Sequence, residues 1–227
     1  MQDARSLCSV SARIRILRTA ADLFHKQGVR ATTPGEIIKA SGVGKGQFYR
    51  HFKNKDILVH EVLRSFLEAV KKDKAPVRYD VTSWQDLENF FLSHIEFQRK
   101  FSMTRSCPIG TVGNEANEGN DKIREDICLI VDVMKSKLAT FFVAEKTKGR
   151  LQKDLEPKVL ADFCVATVQG AMLLGKVSRN SRPAEAAVRE ALLHLKSYAT
   201  HSSIEPGKCQ SNRRPETSRA GHQEIAR

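Results

Sequence analysis

The feature that most constrains this sequence is the stretch 33–52, in which one short helix must end and another must begin soon after. Thr33 and Glu36 have the spacing of a capping box, in which each side chain accepts a hydrogen bond from the backbone N–H of the other residue. Pro34 falls at the first helical position, where its missing N–H does no harm. Gly42 then predicts a tight turn, because glycine adopts the left-handed backbone conformation without strain. The pattern predicts a helix, a turn and a second helix.

The second helix of this stretch, predicted from Lys45 to Phe52, has only a thin apolar seam. Phe48 and Phe52 are four residues apart and are predicted to point inward, with Val43 closing the core between the two helices. The remaining face is polar and partly aromatic and consists of Lys45, Gln47, Tyr49 and Arg50. A short helix with such an outer face suits the dimensions of the major groove of B-DNA.

Hydrophobic periodicity predicts an all-α fold of about nine helices, because apolar residues recur at spacings of three and four and alternating strand patterns are absent. Outside the stretch above, helices are predicted over residues 11–27, 54–72, 83–101, 121–146, 157–179 and 184–199, with one short helix within 104–120. We expect a three-helix N-terminal domain over 1–53 and a larger helical domain over 54–200. A disordered polar tail is expected over 201–227, where apolar residues are few.

The charge balance favours a polyanionic partner. The chain has 38 Lys and Arg residues against 26 Asp and Glu residues, and residues 1–56 alone hold 11 basic against 4 acidic ones. The five cysteines are scattered without metal-ligand spacing, which predicts free thiols, no metal site and no cofactor. Neither a run of 18 apolar residues nor a signal-peptide pattern is present, so we expect a cytoplasmic protein without a membrane partner.

The run TTPGEIIKASGVGKGQFYRHFKNKD, residues 32–56, resembles the DNA-binding signature of the TetR family of transcriptional regulators. The similarity extends over roughly residues 12–63. The resemblance implies an all-helical homodimer that represses transcription. Three N-terminal helices would bind near-palindromic operator DNA, and the C-terminal helices would bind a small-molecule effector and the partner subunit. The alternative is a helical hairpin inside a larger protein, with Tyr49 and His51 as ordinary surface residues.

The resemblance also places the family's DNA contacts on matching positions of this chain. The phosphate contacts fall on Thr33, Tyr49, His51 and Lys55, and the base-edge contacts fall on Lys45, Gly46 and Gln47. A helix N-terminus such as that at Thr33 attracts phosphate, and glutamine and lysine side chains can read adenine and guanine. Family members often have serine where this chain has Gly44, and glycine is a weaker N-cap by roughly a few tenths of a kcal/mol.

Two stretches of the C-terminal half, residues 107–115 and 168–178, resemble a subgroup of the family with a Cys-Pro-x-Gly motif that includes sensors of electrophiles and oxidants. Independently, aromatic residues at helical spacing could enclose an apolar cavity in which a few polar groups orient a ligand. The candidate lining residues are Phe90, Phe91, Phe97, Phe101, Met134, Phe141 and Phe163, with His94, Gln169 and Lys176 as polar groups. The alternative is that these side chains fill an ordinary core.

Cys107 carries a separate hypothesis, in which its oxidation or alkylation shifts a two-state equilibrium and releases DNA. A cation beside the thiol, with Lys176 as the candidate, would favour the reactive thiolate. Two alternatives stay open for this residue. Cys107 is a small buried hydrophobe, or it is the nucleophile of a hydrolase with His94 as its base. A helical interaction protein that does not bind DNA is a further alternative for the whole chain.

The last two helices are predicted to form the dimer interface as an isologous four-helix arrangement. Each carries one apolar stripe: Val159, Phe163, Thr167, Gly170, Leu174 and Val177 on the first, and Val188, Ala191, Leu192, Leu195 and Tyr198 on the second. Small residues on the first would let helices approach closely: Ala166, Gly170, Ala171 and Gly175. The alternative is burial of both stripes within one subunit.

Overall fold

The computed structural model of the protein describes residues 2–115 and 121–200, with side chains from residue 12 onward. This part of the chain forms nine α-helices and no β-strand beyond a single bridge, which confirms the predicted all-α class. The helices are α1 (Gln2–Gln27), α2 (Pro34–Ser41), α3 (Lys45–His51), α4 (Lys55–Lys71), α5 (Trp84–Lys100), α6 (Pro108–Gly113), α7 (Asp121–Thr147), α8 (Pro157–Ser178) and α9 (Arg182–Ser197). The tail predicted over 201–227 lies outside the described residues.

The capping signals around α2 act as predicted. Thr33 Oγ1 accepts from the Glu36 amide at 3.2 Å, and Glu36 Oε2 accepts from the Thr33 amide at 2.7 Å, so both halves of the capping box form. Gly42 ends the helix with a φ of 63°, in the left-handed region. These local signals fix the length of α2 and the direction in which the chain enters α3.

The first three helices contribute to an apolar core that continues into the larger domain. Phe48 and Phe52 are 0% and 1% exposed and Val43 is 6% exposed, which confirms the predicted inner face of α3 and of the turn before it. The same buried cluster includes side chains of α1 and α2, namely Ile16, Ala20, Phe24 and Ile37. α1 begins at Gln2 rather than near Ser11, because residues 2–10 contain neither proline nor glycine to stop a helix.

The larger domain is a helical bundle around α7 and α8. α4 packs along α7, α7 along α8 and α8 along α9, while α5 contacts α8 and α9. α4 also packs against α1 and so links the two domains. Two neighbouring side chains of α4 bond to different domains: Glu61 accepts from Arg13 of α1 at 2.6 Å, and His60 hydrogen-bonds Asp126 of α7 within the larger domain.

α8 is apolar on two faces. By length and composition it could cross a membrane, but it packs against α5, α7 and α9, and 44% of its apolar window is buried. The opposite face contains Val159, Leu174 and Val177, which are 61%, 53% and 74% exposed. Packing within the subunit therefore accounts for one apolar face of α8 and leaves the other open. The open face carries the stripe that the sequence predicts for dimer contact.

The stripe predicted for dimer contact on α9 is instead buried inside the subunit, where α9 packs on α8 and α5. Its members are no more than 8% exposed, apart from the half-buried Tyr198, and they are Val188, Ala191, Leu192 and Leu195. α9 has a single apolar face, and the subunit's own core takes it. The alternative of burial within one subunit is therefore correct for α9.

The small residues of α8 also divide between the two faces. Ala171 and Gly175 are buried, and a Cβ on Gly175 would lie 2.7 Å from Gln98 Oε1 of α5. Gly175 therefore serves close packing within the subunit, which corrects its predicted place between subunits. Ala166 and Gly170 remain exposed on the open face.

Candidate DNA interface and effector cleft

α3 presents the residues predicted to read bases on its solvent side. Its N-cap Gly44 makes no side-chain hydrogen bond, so the helix is held by its buried phenylalanines rather than by a cap. Lys45 and Gly46 are exposed, Gln47 is half-buried, and Tyr49 is 43% exposed. These positions occupy the first turns of a helix that is free to enter a groove.

The predicted phosphate contact at Thr33 has a competitor within the chain. Thr33 is exposed, but its hydroxyl donates to Glu36 Oε2 at 2.9 Å and accepts from the Glu36 amide. Hydrogen bonds from the backbone and side chain of Thr33 lower the pKa of the Glu36 carboxyl, with a smaller contribution from Gln27. A phosphate approaching Thr33 therefore competes with a carboxylate for the same donors.

Lys55, another predicted phosphate contact, has a structural role here. Its Nζ donates to Val29 O at 3.0 Å and to Thr32 O at 3.3 Å, which fastens the α1–α2 loop to the start of α4. An ammonium group has three donors, so one remains for a phosphate oxygen. The last predicted contact, His51, is half-buried at the end of α3, with its ring 6.3 Å from that of Phe52.

Several residues predicted to bind an effector are instead packed into the structure. Phe90 and Met134 are 0% and 1% exposed within the core. Phe163 packs against His194 of α9, with ring centroids 5.5 Å apart, and Phe101 lies 4.1 Å beneath the guanidinium of Arg105. Helical spacing of aromatic residues identified core and packing positions here, because both kinds of site need the same periodicity.

The other candidates line two separate spaces. His94, Phe97 and Cys107 line a small cavity of about 20 Å³, room for no more than a water-sized group. Gln169 and Lys176 line an open cleft of about 580 Å³, within the range of small-molecule sites. The single predicted cavity is therefore replaced by two, and only the cleft has the size of a ligand site.

The cleft lies among α6, α7 and α8. Its apolar wall is formed by Ile109, Ile127, Val131, Val165 and Leu173. Its polar groups include Ser106, Asn114 and Glu115, which flank or end α6 and were not predicted from the sequence. The Gly- and Asn-rich composition of residues 104–120 was the one available signal, since it predicts irregular backbone of the kind that often carries binding residues.

The polar wall of the cleft also contacts the N-terminal three-helix domain. Ser106 O accepts from His25 Nε2 of α1 at 2.7 Å, and Glu115 Oε2 accepts from the Arg30 amide of the α1–α2 loop at 2.8 Å. Gly28 permits the second contact, because a Cβ there would lie 1.9 Å from Glu115 Oε1. Burial is the main cause of a lowered pKa at His25, which favours the neutral ring that donates to Ser106 O. The residues that flank α6 therefore contact α1 and the α1–α2 loop while they also line the cleft.

Cys107 stands between the cleft and the small cavity. It is 2% exposed, and its Sγ accepts from Gln169 Nε2 at 3.2 Å. Gly110 leaves the room for this contact, since a Cβ there would lie 2.7 Å from Gln169 Oε1. The described partner of the thiol is thus a neutral amide rather than Lys176, the predicted cation. Nor do Cys107 and His94 form the thiol–imidazole pair of a hydrolase, because His94 Nδ1 is bonded to Phe90 O and Nε2 has no partner among the described residues.

An exposed helix–turn–helix on a small three-helix domain, joined through α4 and α6 to a helical bundle with a cleft, defines a DNA-binding regulatory protein. Family models narrow this class. Residues 16–62 match the model of bacterial regulatory proteins of the tetR family, and residues 84–191 match that of the tetracyclin repressor-like C-terminal domain. The chain belongs to the TetR family.

Individual relatives agree with this assignment. The HTH-type transcriptional repressor DhaR of Mycobacterium sp. (strain GP1) is 28% identical over 186 residues, which cover 80% of this chain and 92% of DhaR. The HTH-type transcriptional repressor KstR2 of Mycolicibacterium smegmatis is 43% identical over 58 residues, 26% of this chain and 28% of KstR2. The crystal structure of a regulatory protein TetR from Rhodobacter sphaeroides has a TM-score of 0.72 at 23% identity and covers 81% of this chain and 98% of that one.

Proposed function

We propose that this protein is a dimeric, cytoplasmic transcriptional repressor that leaves its operator when a small molecule occupies the cleft beside α6. Repression is supported by the names of DhaR and KstR2, both transcriptional repressors. Dimerisation is supported by the open apolar face of α8. Two copies of α3 would then enter successive major grooves of a near-palindromic site.

The observation that carries the effector role is the double use of the α6 segment. Ser106 and Glu115 line the cleft, and the same two residues bond His25 and the Arg30 amide of the DNA-binding domain. A molecule that displaces Ser106 or Glu115 changes the position of α1 relative to the bundle. Its effect on DNA binding is limited by its difference in affinity for the two arrangements.

The DNA-binding part is tested with the DNA upstream of the protein's own gene, by mobility shift at several salt concentrations. A repressor that contacts phosphates binds there with a steep loss of affinity as salt rises. Gln47→Ala should weaken specific binding by about 1–3 kcal/mol and leave non-specific binding unchanged. Tyr49→Phe should weaken both, because a phosphate contact carries no sequence information.

Gln152→Ala, at an exposed glutamine between α7 and α8, is the matched control and should bind like the unchanged protein. Binding that is insensitive to salt, or equally affected by Gln47→Ala and Gln152→Ala, would exclude α3 as the DNA-reading element.

Modification of Cys107 is the second trigger that we propose, and it is supported by the contact of this thiol with a cleft residue. An added oxygen or alkyl group at Sγ would break the bond from Gln169 and push on α6, to which Cys107 is the N-cap. N-ethylmaleimide or hypochlorite should then lower operator affinity in the unchanged protein and not in Cys107→Ser. An identical response in both proteins would rule out this trigger and leave the cleft mechanism intact.

A further inference from the structure

Lys176 is a feature of the cleft that the proposed function does not explain. It is half-buried in the wall formed by α8, and its ammonium has no hydrogen-bond or ion-pair partner within residues 12–115 and 121–200. The other ionisable side chain of the cleft, Glu115, forms no ion pair with Lys176 and accepts instead from the Arg30 amide at 2.8 Å. Burial of a charge is unfavourable unless that charge is paired. The Lys176 ammonium is therefore available to bind an anionic group from outside the described residues.

The charged groups around Lys176 do not neutralise it. His25 lies within electrostatic reach of both Arg105 and Lys176, and after the larger effect of burial both cations contribute to its lowered pKa. Arg105 is compensated by Asp22, with an Nη1–Oδ1 distance of 2.6 Å. Within the described residues, Lys176 is then the cation at this end of the cleft that has no ion-pair partner.

The remainder of the cleft suits an apolar chain. Its wall is made of the five branched aliphatic side chains of α6, α7 and α8 named above, and its volume of about 580 Å³ exceeds what a bare inorganic ion would fill. Among the described residues that line the cleft, Lys176 is the one cation and Glu115 adds a negative charge, so a monoanion suits the cleft better than a phosphate dianion.

We propose that the cleft binds a small monocarboxylate with an apolar chain, whose carboxylate pairs with the Lys176 ammonium and whose chain lies against the aliphatic wall. The regulatory significance of this ligand rests on the proposed effector role of the cleft, whereas the binding of the ligand does not. Binding itself can be measured on the full chain without DNA.

The test is calorimetric titration with straight-chain alkanoates, from butanoate to decanoate, each beside the alcohol of equal length. Affinity should rise with chain length until the chain fills the cleft, and octanoate should bind at least about tenfold more tightly than octanol. Lys176→Met should reduce the affinity for octanoate to that for octanol and leave octanol binding unchanged. Lys176→Arg keeps the charge and should keep the preference for the acid.

Lys158→Met is the matched control, because Lys158 is an exposed lysine on the same helix, and it should retain the full preference. Circular dichroism checks that each variant is folded. If Lys176→Met is unfolded, the preference of Lys176→Arg for octanoate over octanol still tests the proposal. Equal affinities for acid and alcohol, a preference that persists in Lys176→Met, or no alkanoate binding at all would overturn the proposal. If octanoate binds through Lys176 but operator affinity does not change, the ligand class stands and the effector role of the cleft fails.

Discussion

At the scale of single residues, His94 shows how the core fixes a protonation state. Nδ1 lies 2.7 Å from Phe90 O, and because a carbonyl only accepts, Nδ1 is the nitrogen that carries the proton. Nε2 is buried with no partner among the described residues, and burial lowers the pKa of the ring to about 4. The neutral ring therefore leaves a buried acceptor on a side chain that lines the small cavity together with Cys107.

This state predicts a loss of stability on acidification. An unfolded histidine takes up a proton near pH 6.5, whereas folded His94 stays neutral down to about pH 4. Because the unfolded state binds more protons between these values, the free energy of unfolding falls as the pH drops through this window, by about 3 kcal/mol in total. Urea denaturation across the window measures it: His94→Gln should lose this part of the pH dependence, and the exposed His194→Gln should keep it. Equal slopes in the two variants would contradict the assignment.

How far the sequence determines a residue's role depends on where its partners lie. The Thr33–Glu36 capping box and the inward Phe48 and Phe52 were predictable, because each is decided within a few residues of chain. The bonds of Lys55 were not, because its acceptors are loop carbonyls 23 and 26 residues earlier in the chain. The family resemblance placed a phosphate contact on Lys55, and the fold adds its hydrogen bonds to two loop carbonyls.

At the scale of elements, α6 is only six residues long, but the residues that flank it contact the N-terminal domain and line the cleft. The sequence predicted no more than a short helix within 104–120, because its contacts are all distant in the chain. Ser106 meets His25 across 81 residues, and Glu115 meets Arg30 across 85. The cleft was missed for the same reason: aromatic periodicity pointed to the core, whereas the cleft is lined by aliphatic and polar residues of three separate helices.

The contact between Gly28 and Glu115 can be measured by a double-mutant cycle. Gly28→Ala puts a Cβ at a φ of 89° and into Glu115, so it should destabilise the fold by about 1–3 kcal/mol. Adding Glu115→Ala removes the clash but not the backbone strain, so the double variant should recover part of the loss in chemical denaturation.

Gly149→Ala is the control for backbone strain alone, since Gly149 has a φ of 68° and open space around its missing Cβ. Its effect should be the same with and without Glu115→Ala. Strictly additive effects of Gly28→Ala and Glu115→Ala would contradict the contact between Glu115 and the α1–α2 loop.

At the scale of the whole molecule, α8 is the helix whose exposed apolar face can contact a second subunit. An amphipathic helix with one apolar face, such as α9, buries that face in the core of its own subunit. The stripe predicted there is therefore buried. α8 keeps a second apolar face that includes Val159, Leu174 and Val177. Contiguous exposed apolar surface of this kind marks an interaction site. The sequence analysis predicted one apolar stripe on this helix, and its second, buried face follows from packing against α5, α7 and α9.

Charge on the open face of α8 should separate the subunits. Leu174→Glu or Val177→Glu would bury an unpaired carboxylate in the proposed interface, at a cost of about several kcal/mol. Sedimentation should then show the monomer mass, with the helical content unchanged. Operator affinity should fall by at least about 100-fold, because a monomer engages one half-site and loses the gain from linking two. Leu92→Glu on α5, where leucine is 40% exposed, is the control and should remain dimeric. Dimers that persist in both α8 variants would place the subunit contact elsewhere on the molecule.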